Sequence, residues 1–526
     1  MNIVIVGGGT AGWMAASYLS KFTNANIRVI ESQKIPIIGV GESVTPHVAY
    51  FFDELGIDRH EWMKHTAAIY KYANKFVGWK EGKGEAEYFS FTYTSPATNF
   101  YKDIPQNITL EEFSSSTQER TSDYLVDMFK NKEIDRFDRF FNPQFHYMEN
   151  NVAPFDGNTH LLNEPFSFSQ HINAEFAGIY LKDHIAIPNG VEHKFATVEQ
   201  VDYTDNTINS VVLDDGEVVT ADLFVDCTGF HKALINKLDW PEKLYKNNLI
   251  DSAWVCQTDY TDVETEAVNY TQSIAEPHGW RFKIGLFHRM GNGYCFSSKH
   301  VSDEDALAHF EKQIGPQRVK PRLIKWTPKR LDIFGKGNVA AVGLSCGFVE
   351  PLEANALYTI ITSIRSLCHD VINPAKKSNE FNFDTFNKKM AYTIDDIADF
   401  ILVHYTLSSR DDTDFWRDMR VQGNQNNHQD LIWSKYNNPL NSMQGAADDY
   451  TMFPDFMWAQ LAISWGCYKP FEKELDPITK ELAKMHFYHR ESKHKLVSST
   501  RTNNYKWLKS IVFDNLTAAE WEKKYL

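Results

Sequence analysis

Residues 1–20 read MNIVIVGGGTAGWMAASYLS, and this stretch decides the fold class. From residue 2 to residue 6 the chain is a β-branched run, the pattern of a strand buried on both faces. Three glycines then open a helix through Trp13, Met14, Ala15, Ala16, Ser17, Tyr18 and Leu19. A second strand, Ile27 to Ile30, ends in Glu31, which completes a βαβ start. Gly7-x-Gly9-x-x-Gly12 therefore lies between a strand and a helix, with an acid 19 residues beyond Gly12. That context, more than the glycine spacing alone, makes a dinucleotide fingerprint. Gly7, Gly9 and Gly12 let the backbone of the Thr10-Ala11 turn approach a pyrophosphate at the helix N-terminus, and Glu31 can accept ribose hydroxyls. No second βαβ fingerprint offers a site for NAD(P)H.

Working outward, the chain has 526 residues, enough for roughly three domains or one large domain with insertions. Hydrophobic residues at 43% and charged residues at 23% are ordinary for a globular protein and exclude disordered, collagenous and coiled-coil classes. The net charge of −15 has the wrong sign for neutralising a phosphate backbone, so nucleic acid is excluded as a partner. No apolar run reaches the roughly 18 residues that cross a bilayer, and no cationic leader precedes residue 6, so a cytoplasmic protein without membrane contact is expected. Six scattered cysteines (227, 256, 295, 346, 368, 467) form no CxxC pair and no Cys/His cluster, so neither disulfides nor a metal site are expected. Residues 85 to 170 are aromatic and polar, with little periodicity, and read as an inserted cap. Strands return from about 191 to 230, and a β-rich stretch continues to 345, interrupted by a helix that opens at Ser302. After 353 apolar residues recur at helical spacing, through Leu357, Ile360, Ile361, Ile364 and Leu367 and again from Phe386 to Val403.

Four further segments carry candidate chemistry. Gly39-Val40-Gly41-Glu42-Ser43-Val44-Thr45-Pro46 is a second glycine-rich loop ahead of a helix-like segment. Ile69 to Val77 reads as one strand, and alternation puts Lys71 and Lys75 on the same face, where spacing alone favours two solvated lysines. Val339 to Ser345 is strand-like and runs through Cys346-Gly347-Phe348-Val349-Glu350-Pro351-Leu352-Glu353 into a long helix. The amides of Asn355 and Ala356 would lie unsatisfied in its first turn, suited to a small anion, with Glu353 beside it. On spacing alone Glu353 is only a first-turn carboxylate favoured by the helix dipole. Gly343-x-Ser345-x-Gly347 fits a hydrolase elbow, but Gly347 and Pro351 delay the helix such an elbow needs. Six basic residues lie between Arg318 and Arg330, by default a solvated strand face, with flavin phosphates or a docked reductase as the alternative contact.

Together these segments resemble the flavin-dependent halogenases of the tryptophan-halogenase type over nearly the whole length. Residues 7 to 16 match the family's opening, Gly39 to Pro46 its GVGEATxP loop, and Tyr70-Lys71 with Lys75-Phe76-Val77-Gly78-Trp79 the strand of its essential lysine. Ser408 to Trp416 is also family-like. The resemblance implies an α/β fold: a Rossmann-like FAD-binding module of the glutathione-reductase/hydroxylase type (1–84 and 185–375), with an inserted cap and a mainly helical substrate-binding region (85–184 and 376–526). It implies Lys71 as catalytic lysine and Glu353 as catalytic glutamate. FAD, used as FADH2, would be held by Gly7, Gly9, Thr10, Ala11, Gly12, Glu31, Gly41, Ser43, Val198, Asp226, Gly343 and Leu344. A halide ion would sit at Asn355 and Ala356, and an aromatic substrate near Phe91, Tyr93 and Trp458. A separate NAD(P)H-dependent flavin reductase would supply the reduced flavin, O2 and halide would give hypohalous acid, and a homo-oligomer is left open. Lys71 and Glu353 should face each other across a cavity.

Two departures qualify the resemblance. The family's WxWxIP appears as Trp280-Arg281-Phe282-Lys283-Ile284-Gly285, which puts the block against ordinary monooxygenation in doubt. Its Glu-Ser-Thr-Gly appears as Glu353-Ala354-Asn355-Ala356, which alters the halide surroundings and suggests bromide or iodide. The residues that clamp free tryptophan are not recognisable, which suggests a wider site for phenols, indoles and similar arenes. The competing readings are a flavin-dependent aromatic hydroxylase, a serine hydrolase acting through Ser345, and a non-catalytic flavin-binding protein.

Overall fold

The computed structural model describes residues 1–34, 39–83, 88–92, 121–142, 144–156, 159–160, 168–378, 380–425, 451–466 and 477–526. The βαβ start is realised. Strand Asn2–Val6 pairs in parallel with Asn26–Glu31 on one side and Leu223–Asp226 on the other, and helix Thr10–Phe22 makes the crossover. Glu192–Phe195 and Val339–Ala341 extend this sheet in parallel at its two ends, and Gly335–Lys336 closes it antiparallel. Ile3, Val4, Ile5 and Val6 are all buried, as a doubly covered strand requires.

A second sheet of seven strands runs Arg322–Lys325, Ser252–Thr258, Met290–Phe296, Gly279–Gly285, Tyr270–Glu276, Ala73–Val77, Tyr88–Thr92. It is antiparallel except where Tyr270–Glu276 meets Ala73–Val77. A small third sheet joins Glu42–Ser43, Ser169–Ile172 and Ile69–Lys71.

The single strand expected over 69–77 is in fact two. Ile69–Lys71 belongs to the small sheet and Ala73–Val77 to the large one, and between them the Tyr72 amide donates to Asn269 O at 2.7 Å. This break defeats the alternation argument. Lys71 is fully buried, whereas Lys75 reaches Glu149 at 3.3 Å near the surface.

Beyond Glu353 the described residues are mainly helical as the periodicity predicts, with Asn355–Ser366 and Asp384–Thr406 packed against each other. Ser302 caps helix Asp303–Glu311, its Oγ accepting from the Asp305 amide. Within 85–170 the described residues carry three helices, Thr121–Lys130, Phe137–Phe141 and Phe145–Glu149. Most of the basic stretch is spent inside the chain: Arg318 on Asp259 and Glu522, Lys325 on Asp303, Lys329 on Glu242, Arg330 on Asp332 and Asp395. Among the described residues no helix is long and apolar enough to cross a membrane, and no group of three or more potential ligands could hold a metal ion.

Candidate active site

Gly7 takes φ +108°, a conformation side chains disfavour, and a Cβ at Gly12 would lie 1.8 Å from Gly7 O. The turn between strand and helix is therefore as tight as glycine permits. No side chain caps the helix it leads into, so the first-turn amides stay open. They face a cavity of about 490 Å³, lined here by Gly7, Gly9, Thr10, Ala11 and, at the end of the next strand, Glu31. The cavity continues past Gly41, Ser43, Val198 and Leu344 to Glu353, Asn355 and Ala356. Trp280, Phe282 and Ile284, alternate residues of one strand, form part of its far wall, so the altered WxWxIP segment faces this space. Open amides, a carboxylate and a flat apolar wall in that order fit the phosphates, ribose and ring of a flavin dinucleotide.

Three expected cofactor residues do not line this cavity. Gly12 acts through packing, as above. Asp226 accepts five hydrogen bonds, from the Thr228, Leu234 and Ile235 amides and the Thr228 and Ser345 hydroxyls, so its carboxylate fastens the loop beneath the cavity. Gly343 borders a separate, smaller chamber. Ser345 is buried, its hydroxyl 3.1 Å from Asp226 Oδ1 and 3.2 Å from Gly229 O, in a 3₁₀ turn and not at a strand-to-helix elbow.

Glu353 lies on the cavity wall, and Lys71, just outside the lining, is close enough to feel its charge. Lys71 Nζ donates to Ser43 Oγ at 2.5 Å, so it reaches the cavity through a lining residue. Burial pushes its pKa down to about 7, partly offset by the negative charge of Glu353. Glu353 is 5% exposed and does not belong to the helix that follows. It and Ala354 both adopt left-handed backbone, φ +66° and +60°, and this turn swings the carboxylate onto the cavity wall. The helix-dipole reading of Glu353 is thereby corrected.

Two residues that sequence reasoning missed hold this carboxylate. Asn74 Nδ2 donates to Oε2 at 2.5 Å, and His404 Nε2 lies 3.1 Å from Oε1. Asn74 follows Lys71 by three residues but in the other sheet, and His404 comes from helix Asp384–Thr406; neither position carries a sequence signal.

The smaller chamber, about 10 Å³, lies beside the N-terminus of helix Asn355–Ser366. That is about the space of one water or one monatomic ion. Asn355, Ala356, Leu344 and Phe348 border both spaces, while Ile394 and Ile397 close the small one. Ala354 supplies no cap, and the Asn355 amide group turns back to Glu350 O and Leu352 O at 2.8 Å, so the first-turn amides are not satisfied by side chains.

The expected substrate residues fare differently. Trp458 is buried edge-on against Phe400, ring centroids 4.9 Å apart, in the helical core and not on the cavity wall. Phe91 pairs with Asn74 through the backbone, but its side chain, like Tyr93, lies outside the described residues.

A family model described as tryptophan halogenase matches residues 2–477. The chain is 33% identical over 435 residues to the tryptophan 7-halogenase RebH of Lentzea aerocolonigenes, covering 79% of this chain and 78% of that protein. It is 31% identical over 435 residues to the tryptophan 6-halogenase ThaL of Streptomyces albogriseolus, at the same coverage of 79% and 78%. The structure of BrvH, a flavin-dependent halogenase from Brevundimonas sp. BAL3, superposes with a TM-score of 0.79 at 26% identity, covering 97% of this chain and 99% of that one.

Proposed function

The chain belongs to the tryptophan halogenase family and is a flavin-dependent halogenase, and from that premise we propose that it transfers bromine or iodine, in preference to chlorine, to electron-rich arenes including phenols and indoles, with Lys71 and Glu353 as catalytic residues. The observation that carries this reading is a buried lysine within electrostatic reach of a buried glutamate on the wall of the large cavity, which shares Leu344, Phe348, Asn355 and Ala356 with an ion-sized chamber.

Bound FAD, in its reduced form, supplies the electrons with which O2 converts halide to hypohalous acid, and a separate flavin reductase supplies that reduced form. Gly7, Gly9, Thr10 and Ala11 hold its phosphates, Glu31 its ribose, and Gly41, Ser43, Val198 and Leu344 the rest of its length. The open amides of Asn355 and Ala356 bind the halide. Their chamber is walled largely by Leu344, Phe348, Ile394 and Ile397, and apolar walls replace no hydration, so the ions that lose least on dehydration, iodide and bromide, are favoured over chloride. Lys71, near its midpoint at neutral pH, donates a hydrogen bond to the oxidant and aims the electrophilic halogen at the arene. Glu353 lies close enough to act on the lysine electrostatically; it stabilises the cationic ring and takes the proton that leaves as the carbon–halogen bond forms.

Incubation with FAD, a flavin reductase, NADH, O2 and the three halides in competition, over a panel of arenes, tests this by mass spectrometry. Brominated and iodinated phenols and indoles are expected to dominate, and Lys71→Ala should lose product by about 100-fold or more while NADH consumption continues. Chloride as preferred halide, or free tryptophan as sole substrate, would contradict the selectivity assigned; undiminished product from Lys71→Ala would remove the lysine.

A further inference from the structure

From Lys71 runs a line of buried polar side chains, Ser43 and Thr271 on the wall of the large cavity and His171 beyond them. Lys71 Nζ donates to Ser43 Oγ at 2.5 Å, Ser43 Oγ lies 2.8 Å from Thr271 Oγ1, Thr271 Oγ1 lies 2.8 Å from His171 Nε2, and His171 Nδ1 lies 3.1 Å from Gly285 O. All four side chains belong to buried residues. The small sheet assembles three of them: Ser43 stands opposite His171 on one side of the central strand, and Ile69, two residues before Lys71, stands opposite it on the other. Thr271 arrives from the large sheet, opposite Asn74.

The direction of every proton in this line is set from its ends. A carbonyl only accepts, so His171 Nδ1 carries the hydrogen and donates to Gly285 O. Burial and the positive charge of Lys71 hold the imidazole well below its usual range, hence neutral, so Nε2 has a lone pair and accepts from the Thr271 hydroxyl. Thr271 Oγ1 then accepts from the Ser43 hydroxyl, and the Ser43 oxygen is left to face Lys71 with a lone pair. An ammonium has donors and no acceptor, so the line cannot run the other way while Lys71 is charged.

We propose that Ser43, Thr271 and His171 are positioning residues of the halogenation: a one-way hydrogen-bond line, anchored on Gly285 O, that aims a lone pair at Lys71 Nζ and thereby fixes where its remaining N–H bonds point. This rests on Lys71 being the catalytic lysine. A lysine on a flexible four-carbon stem needs such an acceptor, because an error of about 1 Å at a reacting group costs on the order of 100-fold in rate. Ser43 stands where the GVGEATxP pattern that residues 39 to 46 resemble has alanine. Glu353 favours the ammonium of Lys71, and burial with the charge of Lys71 holds His171 neutral.

The test compares Thr271→Val with Thr271→Ser. Valine keeps the shape of threonine and breaks the line; serine keeps the hydroxyl and loses a methyl. If the line positions Lys71, Thr271→Val should lose about 10-fold or more in kcat, and Thr271→Ser should stay within about 2-fold of the parent. If Thr271 only packs, the order is reversed, and that result overturns the proposal. Ser43→Ala supplies an independent readout should Thr271→Val fail to fold. It removes the shorter of two acceptors that favour the ammonium, leaving Val44 O at 3.5 Å, so the lysine limb of the pH–rate profile should move to lower pH, and an unmoved limb counts against the proposal. Because Ser43 and Thr271 both line the large cavity, FAD affinity is followed by fluorescence quenching in every variant and turnover is compared at saturating FAD. Lys71→Ala run in parallel separates the two levels. Persistent product there removes the lysine reading and this proposal with it; a dead Lys71→Ala beside a fully active Thr271→Val removes this proposal alone.

Discussion

Replacing His404 by phenylalanine tests how Glu353 is kept ready to take a proton. His404 Nδ1 donates to Phe400 O at 2.8 Å inside its own helix, so the 3.1 Å contact between Nε2 and Glu353 Oε1 must share one proton. Either an imidazolium donates to a carboxylate or a carboxylic acid donates to a neutral ring. Phe76, Trp79 and Phe400 already surround His404 with ring centroids 5.0 to 6.3 Å away, so a phenyl ring suits the site and the fold should persist. Glu353 would keep Asn74 and lose its second partner. A hydrogen bond involving a charged group contributes about 1.5–3 kcal/mol, and at about 1.36 kcal/mol per tenfold its loss from the transition state slows turnover by about 10- to 150-fold. The assay is single-turnover product formation with pre-reduced FAD and saturating halide, with a hypohalite trap in parallel. Product should fall while trapped oxidant rises, because its generation does not involve His404. Glu353→Gln supplies the control: its amide can accept from Asn74 and donate to a neutral His404, so geometry survives while proton uptake is lost, at a cost of about 10²–10³. Since His404 acts through Glu353, the double variant should be no slower than Glu353→Gln alone. Wild-type turnover in His404→Phe, or losses that multiply in the double variant, would refute the reasoning.

Two further outcomes follow from the same geometry. Burial lowers the pKa of Lys71 from 10.5 to about 7, so between those values the unfolded chain binds more protons than the folded one and stability rises with pH; the penalty is complete below pH 7. Lys71→Met should therefore be the more stable protein, by up to about 5 kcal/mol near pH 6 and by progressively less toward pH 10, and denaturant midpoints that differ equally at all pH would contradict this. Gly12→Ala must accommodate a Cβ placed 1.8 Å from Gly7 O, which moves the nucleotide turn; FAD affinity should fall by about 100-fold or more, and unchanged binding in a fluorescence titration would show that the turn is not the phosphate site.

How much of this was legible in the sequence depended on whether a signal is local. The glycine turn was, because Gly7 needs its positive φ and Gly12 its bare Cα against Gly7 O within one short segment, and the buried run of Ile3 to Val6 is its own evidence. The helices beyond Glu353 were, because their apolar faces repeat along the chain. The alternation across 69–77 misled because it presumes one sheet, and nothing in Tyr72 announces that the chain changes sheets there. Asp226 looked like a cofactor ligand at the end of a sheet strand, yet the loop that follows it offers three amides and a hydroxyl to its carboxylate first, and distant Ser345 a second hydroxyl.

Glu353 shows the limit most clearly. Two consecutive non-glycine residues in the left-handed region cost about 1–2 kcal/mol each, and neither Glu nor Ala advertises that conformation. It persists because the surroundings over-determine it: Asn74 and His404 hold the carboxylate from positions 279 and 51 residues away, and Asn355 ties the following turn back to Glu350 and Leu352. A relaxed right-handed turn would have continued the helix through 353 and carried the carboxylate off the cavity. The strain is therefore what separates a glutamate held on the cavity wall from a dipole-stabilised one, and a position held at that cost by two distant segments is where function should be sought.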